Sequence, residues 1–325
     1  MNVLVVANMY PDAARPYNGI FVSEQIEAIK RYHPDVKFDV CFIDGEKGKS
    51  EYLKSIVYVN QLIDKGHYDL VHIHFGLSGM YLLWPFRRKI PTIATFHGSD
   101  IQPAGGNGWL TIHLSRYTAK RVDACITLNS YMDAIVRQYN PITHIVPCSV
   151  DMERFQPYRQ PLDTSVSAGK NTRKIIFPCS HTMTVKDYPL FSRVLTVLRA
   201  DYGLQCEELT LDGLKRDEVV KLMNTADLLL MTSLSEGSPQ AVKEAMACNL
   251  PVVSTDVGDV RQLLEGVKDC YISETRKAEE LAKCVVRSLK RNGQGMTGRE
   301  RLTQLHLDAR SIADSIYQIY EESIH

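Results

Sequence analysis

Short apolar segments alternate with amphipathic ones along the 325-residue chain, and this alternation is typical of a parallel α/β sheet. The segment Val3–Ala7 is apolar at every position, as expected of a strand buried on both faces. The pattern predicts four further strands in the first half of the chain, each followed by a helical stretch: Phe38–Phe42, Leu70–Phe75, Thr92–Phe96 and Ala124–Leu128.

The alternation restarts at Lys174, after a segment rich in Pro, Ser and Gly that has no apolar period. Strands are predicted there at Glu208–Leu211, Leu228–Thr232 and Val252–Ser254. The expected fold class is α/β, with two Rossmann-like domains that face each other across a cleft. The expected division is a first domain over 1–155, a linker over 156–170, a second domain over 171–307, and a C-terminal helix over 308–325 that could cross back to the first domain.

The composition excludes several classes of protein. The 38 basic and 38 acidic residues balance, so the chain lacks the overall positive charge of a nucleic-acid-binding protein. The eight cysteines contain no Cys-x-x-Cys pair, which favours the reduced thiols of a cytosolic protein. We find no signal-peptide pattern at the N-terminus and no apolar run near the roughly 20 residues that cross a bilayer. We therefore expect a cytoplasmic protein that binds no nucleic acid.

The segment after the strand predicted at Leu228–Thr232 has the pattern of an anion-binding helix start. Ser238 is a good N-cap residue, and Pro239 is favoured at the first helical position. The backbone N–H groups of Gln240 and Ala241 are then expected to point into the crevice at the strand ends, where ligands of such sheets bind.

Two glutamates flank this helix start. Glu236 lies on the loop before the helix, and Glu244 lies about two turns along it. One carboxylate can therefore face a sugar ring while the other reaches a ribose, with a phosphate held between them on the helix end. The spacing fits a sugar nucleotide, and the alternative is a capped helix with two solvated carboxylates.

The motif from Ser235-Glu-Gly-Ser-Pro to Lys243-Glu-Ala-Met-Ala-Cys resembles the Glu-x7-Glu signature of the retaining GT-B glycosyltransferases, family 4 (group 1) in particular. The similarity continues through Asn249-Leu-Pro-Val-Val-Ser. The resemblance implies a GT-B fold whose first domain binds the acceptor and whose second domain binds the sugar nucleotide. It also implies that Glu236 contacts the donor sugar near the reaction centre and that Glu244 binds the ribose hydroxyls.

The first half carries weaker segments of the same kind. Gly19 would let the backbone approach a phosphate closely, and the family has a glycine here near the donor phosphates and the acceptor; a turn glycine is the alternative. The family's His-Gly-x-Asp segment implies that His97 contacts the donor sugar, with Asp100 and His74 as weaker candidates. The alternative for His72, His74 and His97 is a zinc site.

The resemblance also implies a phosphate clamp. Many family members carry an Arg and a Lys five residues apart after the first strand of the second domain. This chain keeps Lys186 but has His181 where the Arg is expected, which makes His181 a weaker donor-binding candidate. Lys186 alone can neutralise charge on the departing diphosphate. Because no Asp-x-Asp pair occurs in the chain, we expect no cofactor and no required metal.

The segment that begins at Tyr81 combines apolar and aromatic residues with three positive charges, in the order Tyr-Leu-Leu-Trp-Pro-Phe-Arg-Arg-Lys. This mixture suits peripheral contact with the inner membrane leaflet, where many of the resembling enzymes act on lipid-linked acceptors. A packed helix end with a solvated basic turn is the alternative.

The predicted function is retaining, metal-independent transfer of a hexose-type sugar from a nucleotide-sugar donor to a glycan or lipid-linked acceptor, in bacterial cell-surface polysaccharide biosynthesis. The predicted catalytic residues are Glu236, His97 and Lys186. The predicted donor-binding residues are Gly19, Lys186, Ser238, Pro239, Gln240, Ala241 and Glu244. Two other functions stay open, a non-catalytic nucleotide-binding scaffold and a sugar-nucleotide epimerase.

Overall fold

The computed structural model describes residues 1–15, 17–86, 88–102, 108–158 and 172–325. The chain divides into two compact units, the first formed by Met1–Ser149 together with Ala309–His325, and the second by Val150–Asp308. Most of the linker expected at 156–170 lies outside the described residues. Within the described ranges, no helix is both long enough and apolar enough to cross a bilayer.

The first unit is built on a six-stranded parallel sheet in the order β2-β1-β3-β4-β5-β6. Its strands are β1 Asn2–Ala7, β2 Lys37–Phe42, β3 Leu70–His74, β4 Thr92–Thr95, β5 Ala124–Thr127 and β6 Thr143–Ile145. Its helices before the second unit are α1 Ile20–Tyr32, α2 Ser50–Lys65, α3 Trp109–Arg121 and α4 Ser130–Val136. Strands β3, β4 and β5 are buried at every residue, which confirms that their apolar runs mark central strands.

The second unit contains a five-stranded parallel sheet in the order β11-β10-β9-β7-β8. Its strands are β7 Thr172–Phe177, β8 Gln205–Thr210, β9 Leu228–Met231, β10 Val252–Thr255 and β11 Tyr271–Ser273. Its helices are α5 Tyr188–Tyr202, α6 Arg216–Thr225, α7 Gln240–Ala247, α8 Val260–Leu264, α9 Ala278–Leu289 and α10 Gly298–Gln304. The α/β class with two Rossmann-like sheets, expected from the sequence, is confirmed.

The second unit begins at Val150, earlier than the boundary expected at residue 155. Arg299 donates hydrogen bonds to the backbone carbonyls of Met152 (3.0 Å) and Phe155 (2.7 Å). The ring of Phe155 also lies 4.7 Å from the guanidinium of Arg216. These contacts hold the segment in the second unit.

The last helix, α11 (Ala309–Ile324), belongs to the first unit. Its amphipathic pattern gives one apolar face, and that face is buried, with Ile312, Ala313, Ile316, Ile319 and Tyr320 turned inward. The Tyr317 ring stacks on His33, which follows α1, with 3.9 Å between ring centroids. The hydroxyl of Tyr320 lies 2.7 Å from Nδ1 of His72 on β3. Helix α11 therefore completes the core of the first unit.

Candidate active site

The carboxyl ends of β7 and β9 form the crevice of the second unit. These two strands are neighbours, yet the chain runs from β7 to β8 on one side and reaches β9 on the other. Such a reversal of strand order leaves a gap between the loops that follow the two strands, and ligands of open α/β sheets bind there. The loop after β7 contains residues 178–187, and the loop after β9 contains residues 232–239.

An ion pair joins these two loops. The ammonium group of Lys186 lies 2.6 Å from Oε1 of Glu236, and the hydroxyl of Ser233 donates to the same oxygen at 2.6 Å. The side chains of Lys186 and Glu236 are 20% and 11% exposed. The structure therefore brings together, at one partly dehydrated point, the predicted phosphate-binding cation and the predicted sugar-binding carboxylate. In such surroundings both charges act on a ligand more strongly than they do in water.

Arg276 ties the same loops together from the side of β11. Its guanidinium donates to Oδ2 of Asp187 (2.6 Å) and to the backbone carbonyls of Thr232 (2.8 Å) and Ser233 (2.6 Å). The hydroxyl of Thr232 in turn donates to the carbonyl of Lys186 at 3.0 Å. Sequence reasoning missed Arg276, because the short strand that precedes it was itself not predicted.

The start of α7 differs from the sequence expectation. Pro239, not Ser238, occupies the N-cap position, and no side chain caps the helix. The first hydrogen bond of the helix runs from the N–H of Val242 to the carbonyl of Pro239 at 3.2 Å. The N–H groups of Gln240 and Ala241 therefore come before the first intrahelical hydrogen bond. The expected Ser238 cap is wrong. Asn249, which follows the helix, has a left-handed φ of 54°, a conformation that commonly ends helices.

Ser238 instead belongs to a buried polar cluster with Lys243 and Asp259. The ammonium of Lys243, which is fully buried, donates to the Ser238 hydroxyl at 3.1 Å. Burial raises the pKa of the Asp259 carboxyl, and the nearby Lys243 and a hydrogen bond from Ser238 act in the opposite direction. A Cβ atom added to Gly258 would lie 2.5 Å from the carbonyl of Gly237, so the loop after β10 packs directly against the Glu236 loop. A lysine on an apolar helix is the sole sequence signal for this cluster.

Glu244 lies on the buried face of α7. Oε1 of its carboxylate is 2.6 Å from the guanidinium of Arg216, the first residue of α6, and its side chain is only 4% exposed. This pairing gives the buried carboxylate a cationic partner, without which its burial would be costly. Arg216 is 28 positions away in sequence, and sequence reasoning did not identify it.

His181 is oriented by the neighbouring strand β8. Its Nε2 lies 2.7 Å from Oε1 of Glu208, and its ring stacks on Tyr188 with 3.9 Å between centroids. In this arrangement the imidazole is engaged by a carboxylate, unlike the arginine that the family places here. Whether His181 contacts the donor stays a prediction.

The first unit has a similar crevice between the loops that follow the neighbouring strands β1 and β3, where the strand order reverses. Gly19 follows the loop after β1, precedes α1 and has a φ of 62°. A Cβ atom there would lie 2.4 Å from the backbone of Met9, so glycine is required by the protein's own fold. This observation accounts for Gly19 as a turn glycine, and its contact with a phosphate stays a prediction.

Asp100 organises the loops that follow β3 and β4. Its buried carboxylate accepts backbone N–H bonds from Gly76, His97 and Gly98, each at 3.0 Å. Burial raises the pKa of Asp100 to about 6, although the three N–H donors favour its ionised form. The structure therefore assigns Asp100 to loop geometry, with His97 held through its backbone.

Three histidines lie side by side in the first unit, two on β3 and one in the loop after β4. Nδ1 of His74 lies 3.1 Å from Nε2 of His97, and His72 lies beside His74 with 4.2 Å between ring centroids. Burial lowers the pKa of His74 to about 3 and lowers the pKa values of His72 and His97 well below their ordinary range. Both ring nitrogens of His72 are 2.7 Å from hydroxyls, those of Tyr320 and Thr95, so His72 has no nitrogen left for zinc. Among the residues that the structure describes, no three His, Cys, Asp or Glu side chains are arranged so that they could hold a metal ion.

Comparison with known families decides the identity. The family model described as Glycosyltransferase Family 4 matches residues 2–154, which include Gly19 and His97. The model described as Glycosyl transferases group 1 matches residues 194–291, which include both Glu236 and Glu244. The chain belongs to the family 4, group 1 glycosyltransferases.

Relatives of this glycosyltransferase span most of its length. It is 22% identical to a Bacillus subtilis protein assigned as a glycosyltransferase of teichuronic acid biosynthesis, over 88% of this chain and 89% of that protein. It is 21% identical to an Escherichia coli UDP-Gal:alpha-D-GlcNAc-diphosphoundecaprenol alpha-1,3-galactosyltransferase, over 72% of this chain and 70% of the other. These names are those of transferases, so neither the epimerase nor the scaffold alternative is favoured.

Among solved structures, this glycosyltransferase is similar to Anabaena HepE in complex with UDP and glucose. The TM-score is 0.72 at 15% identity, over 99% of this chain and 100% of HepE. At this identity the similarity supports the fold. The GT-B fold class expected from the sequence is confirmed.

Proposed function

We propose that this glycosyltransferase moves a hexose from a nucleotide sugar to a glycan or lipid-linked acceptor, with retention of anomeric configuration and without a metal ion. The observation that carries the proposal is the contact between Lys186 and Glu236, 2.6 Å apart at the carboxyl ends of β7 and β9. A uridine nucleotide is the first donor to test, because HepE was solved with UDP and the Escherichia coli relative is named for UDP-Gal. The names of the relatives also support a role in cell-surface polysaccharide biosynthesis.

In this proposal each donor group has a partner in the second unit. Glu244, held by Arg216, accepts hydrogen bonds from the ribose hydroxyls. The backbone N–H groups at the start of α7 face the diphosphate, together with Lys186. Glu236 binds the hydroxyls of the transferred sugar. In the first unit, His97 takes the sugar contact that the family resemblance implies.

The chemistry proposed is a front-face displacement. The bond between the anomeric carbon and the leaving diphosphate oxygen breaks with its electron pair on the phosphate. The acceptor hydroxyl oxygen bonds to the anomeric carbon on the same face, and its proton passes to the departing phosphate. Lys186 and the start of α7 stabilise the charge that develops on the diphosphate, and one such interaction contributes roughly 10²–10³ in rate.

Donor binding is tested by thermal unfolding with UDP, GDP and ADP and their common sugars, in the presence of EDTA. A ligand in large excess over its Kd stabilises the folded protein by roughly 2–4 kcal/mol. One nucleotide class should shift the wild type, the shift should fall sharply in Glu244→Ala, and it should persist in Glu207→Ala, which removes an exposed carboxylate of the same unit. Binding that requires a divalent metal, or that survives Glu244→Ala unchanged, would refute this donor site.

Transfer itself is tested with the nucleotide sugar that binds. The anomeric configuration of the product, read by NMR coupling constants, should match that of the donor. The reaction should proceed equally in EDTA and in Mg²⁺. An inverted product would contradict the proposed retention, and release of an epimerised nucleotide sugar would favour the epimerase alternative.

We also propose that residues 83–86, 88 and 89 of the first unit contact a membrane surface. Leu83, Trp84 and Phe86 are exposed, with Phe86 85% exposed, and the neighbouring Arg88 and Lys89 are exposed as well. Aromatic side chains prefer the headgroup region, and each cation near an anionic surface contributes about 1 kcal/mol.

Cosedimentation with phosphatidylglycerol vesicles tests this contact. The double variant Arg88→Ser, Lys89→Ser should bind such vesicles about thirtyfold more weakly, since two cations together contribute about 2 kcal/mol. The control Lys268→Ser, Lys277→Ser removes two exposed charges of the second unit and should bind as the wild type does. Equal loss in both variants, or equally strong binding of the wild type to phosphatidylcholine vesicles, would contradict a specific contact at residues 83–86, 88 and 89.

A further inference from the structure

One hydrogen bond of the first unit joins two imidazole rings. Nδ1 of His74 lies 3.1 Å from Nε2 of His97. Burial lowers the pKa of both rings, so both are neutral near pH 7. A neutral imidazole has one N–H donor and one bare acceptor nitrogen. The bond therefore requires a proton on one of the two facing nitrogens and none on the other.

Two arrangements satisfy this requirement. In the first, His74 donates from Nδ1, its Nε2 is bare, and His97 carries its own proton on Nδ1. In the second, His97 donates from Nε2, and His74 must carry its proton on Nε2.

The surroundings of His74 favour the first arrangement. The residue is fully buried, and its Nε2 has no hydrogen-bond partner among the described residues. The second arrangement would bury an N–H group without an acceptor, which costs the full desolvation of that donor, whereas an unpartnered acceptor is better tolerated. The first arrangement should therefore be favoured on the order of tenfold or more.

Neighbouring groups prevent either ring from turning away. His74 is the last residue of β3, where it pairs in register with Thr95 of β4, and the ring of His72 lies against it. His72 is fixed in turn by hydroxyls on both of its nitrogens.

The ring of His97 is enclosed by two phenylalanines. Its centroid lies 4.7 Å from that of Phe21 and 4.5 Å from that of Phe75. Its backbone N–H is bonded to Asp100. Among the residues that the structure describes, the bond to His74 is the polar contact that distinguishes its two nitrogens.

We propose that His74 is a positioning residue that fixes His97 as its Nδ1–H tautomer. Nδ1 of His97, which does not face His74, then carries a proton. It can donate a hydrogen bond but cannot accept one. Only the acceptor of this hydrogen bond, a hydroxyl oxygen of the transferred sugar, depends on the proposed function. A sugar that lacks this hydroxyl would leave the donor unsatisfied, so His74 contributes to sugar selectivity through His97.

The tautomer is measured on the whole wild-type chain with ¹⁵N-labelled histidine rings. Long-range ¹H–¹⁵N correlation separates protonated from bare ring nitrogens, and the signals of His97 are identified by their loss in His97→Gln. We expect a protonated Nδ1 and a bare Nε2 for His97 near pH 7.5. A protonated Nε2 would overturn the proposal, and this result needs no variant of His74.

Two substitutions of His74 then separate positioning from packing. His74→Asn keeps an amide N–H close to the position of Nδ1 and should keep the His97 tautomer, whereas His74→Leu should give a mixture of tautomers and lower kcat about tenfold more than His74→Asn does. Tyr320→Phe, which alters only the partner of His72, should leave the His97 signals unchanged. A single Nδ1–H tautomer in His74→Leu would refute the role of His74. If the expected tautomer is found but His97→Gln transfers sugar normally, the tautomer assignment stands and the sugar contact in the proposed function fails.

Discussion

Lowering the pH from 7 to 5 is expected to weaken the first unit through its buried histidines. The pKa of His74 is about 3 in the folded chain, because burial disfavours the imidazolium, against about 6.5 in an unfolded chain. Because the folded pKa is the lower one, the contribution of His74 to stability is complete above pH 6.5. It is lost as the pH falls towards 3, since the unfolded chain takes up the proton first.

The size of the effect follows from these two pKa values. Between pH 7 and pH 5, protonation of an unfolded-state imidazole lowers the free energy of unfolding by about 2 kcal/mol for His74 alone. Asp100 acts in the opposite sense, because its folded pKa of about 6 lies above the unfolded value, so its protonation in the folded state restores about 1 kcal/mol over the same range. His72 and His97, which face His74, shift in the same direction as His74.

Urea unfolding followed by tryptophan fluorescence isolates the first unit, because the two tryptophans of the chain, Trp84 and Trp109, both belong to it. The loss of stability between pH 7 and pH 5 should be about 2 kcal/mol smaller in His74→Asn than in the wild type, because the other titrating groups are common to both. The matched control is His113→Asn, an exposed histidine on α3, which should leave the loss unchanged. An equal pH effect in wild type and His74→Asn would refute the reasoning.

Three further predictions concern single contacts. Arg216→Met should destabilise the second unit by about 3 kcal/mol in denaturant titration, because it leaves the buried Glu244 carboxylate without its cation, and adding Glu244→Gln should recover part of that loss; an unchanged midpoint would contradict a structural pair. Lys186→Ala should lower kcat for sugar transfer about 10²–10³-fold in a protein that still unfolds cooperatively, and a change in KM alone would argue against charge stabilisation of the leaving group. Gly19→Ala should lower the calorimetric stability by well over 1 kcal/mol, and more than Gly203→Ala, which has a similar φ of 65° but open space around its Cβ position; equal effects would remove the steric part of the argument.

The central strands could be predicted because burial on both faces requires an uninterrupted apolar run. Strands β6 and β11 were missed for the opposite reason. Each lies at the edge of its sheet and is partly exposed, so neither Thr143–Ile145 nor Tyr271–Ser273 shows such a run. Because β11 was not predicted, the position of Arg276, which follows this strand, was not predicted either.

The candidate site was predictable where residues follow strands that end at the same crevice, as Lys186 and Glu236 do. The cation that pairs with Glu244 could not be predicted, since it comes from a distant part of the chain. Arg216 meets Glu244 only because α6 and α7 are folded onto the same sheet. Ser238 had the right residue type for an N-cap, yet the buried ammonium of Lys243 takes its hydroxyl instead. A buried charge requires a hydrogen-bond partner close by, because its burial is otherwise costly, and this requirement outweighs a local capping preference.

The place of α11 has a consequence for how this chain is made. Domains usually fold in the order in which they leave the ribosome. Here residues 1–149 emerge first but lack the helix that covers β3 and α1 until residues 309–325 follow, an interval of roughly 10–30 s at common rates of synthesis. The second unit, which is continuous in sequence, can complete its own core during that wait. A nonsense mutation within codons 309–325 would therefore damage the unit whose first 149 residues were translated first, while the second unit, already synthesised, stays intact.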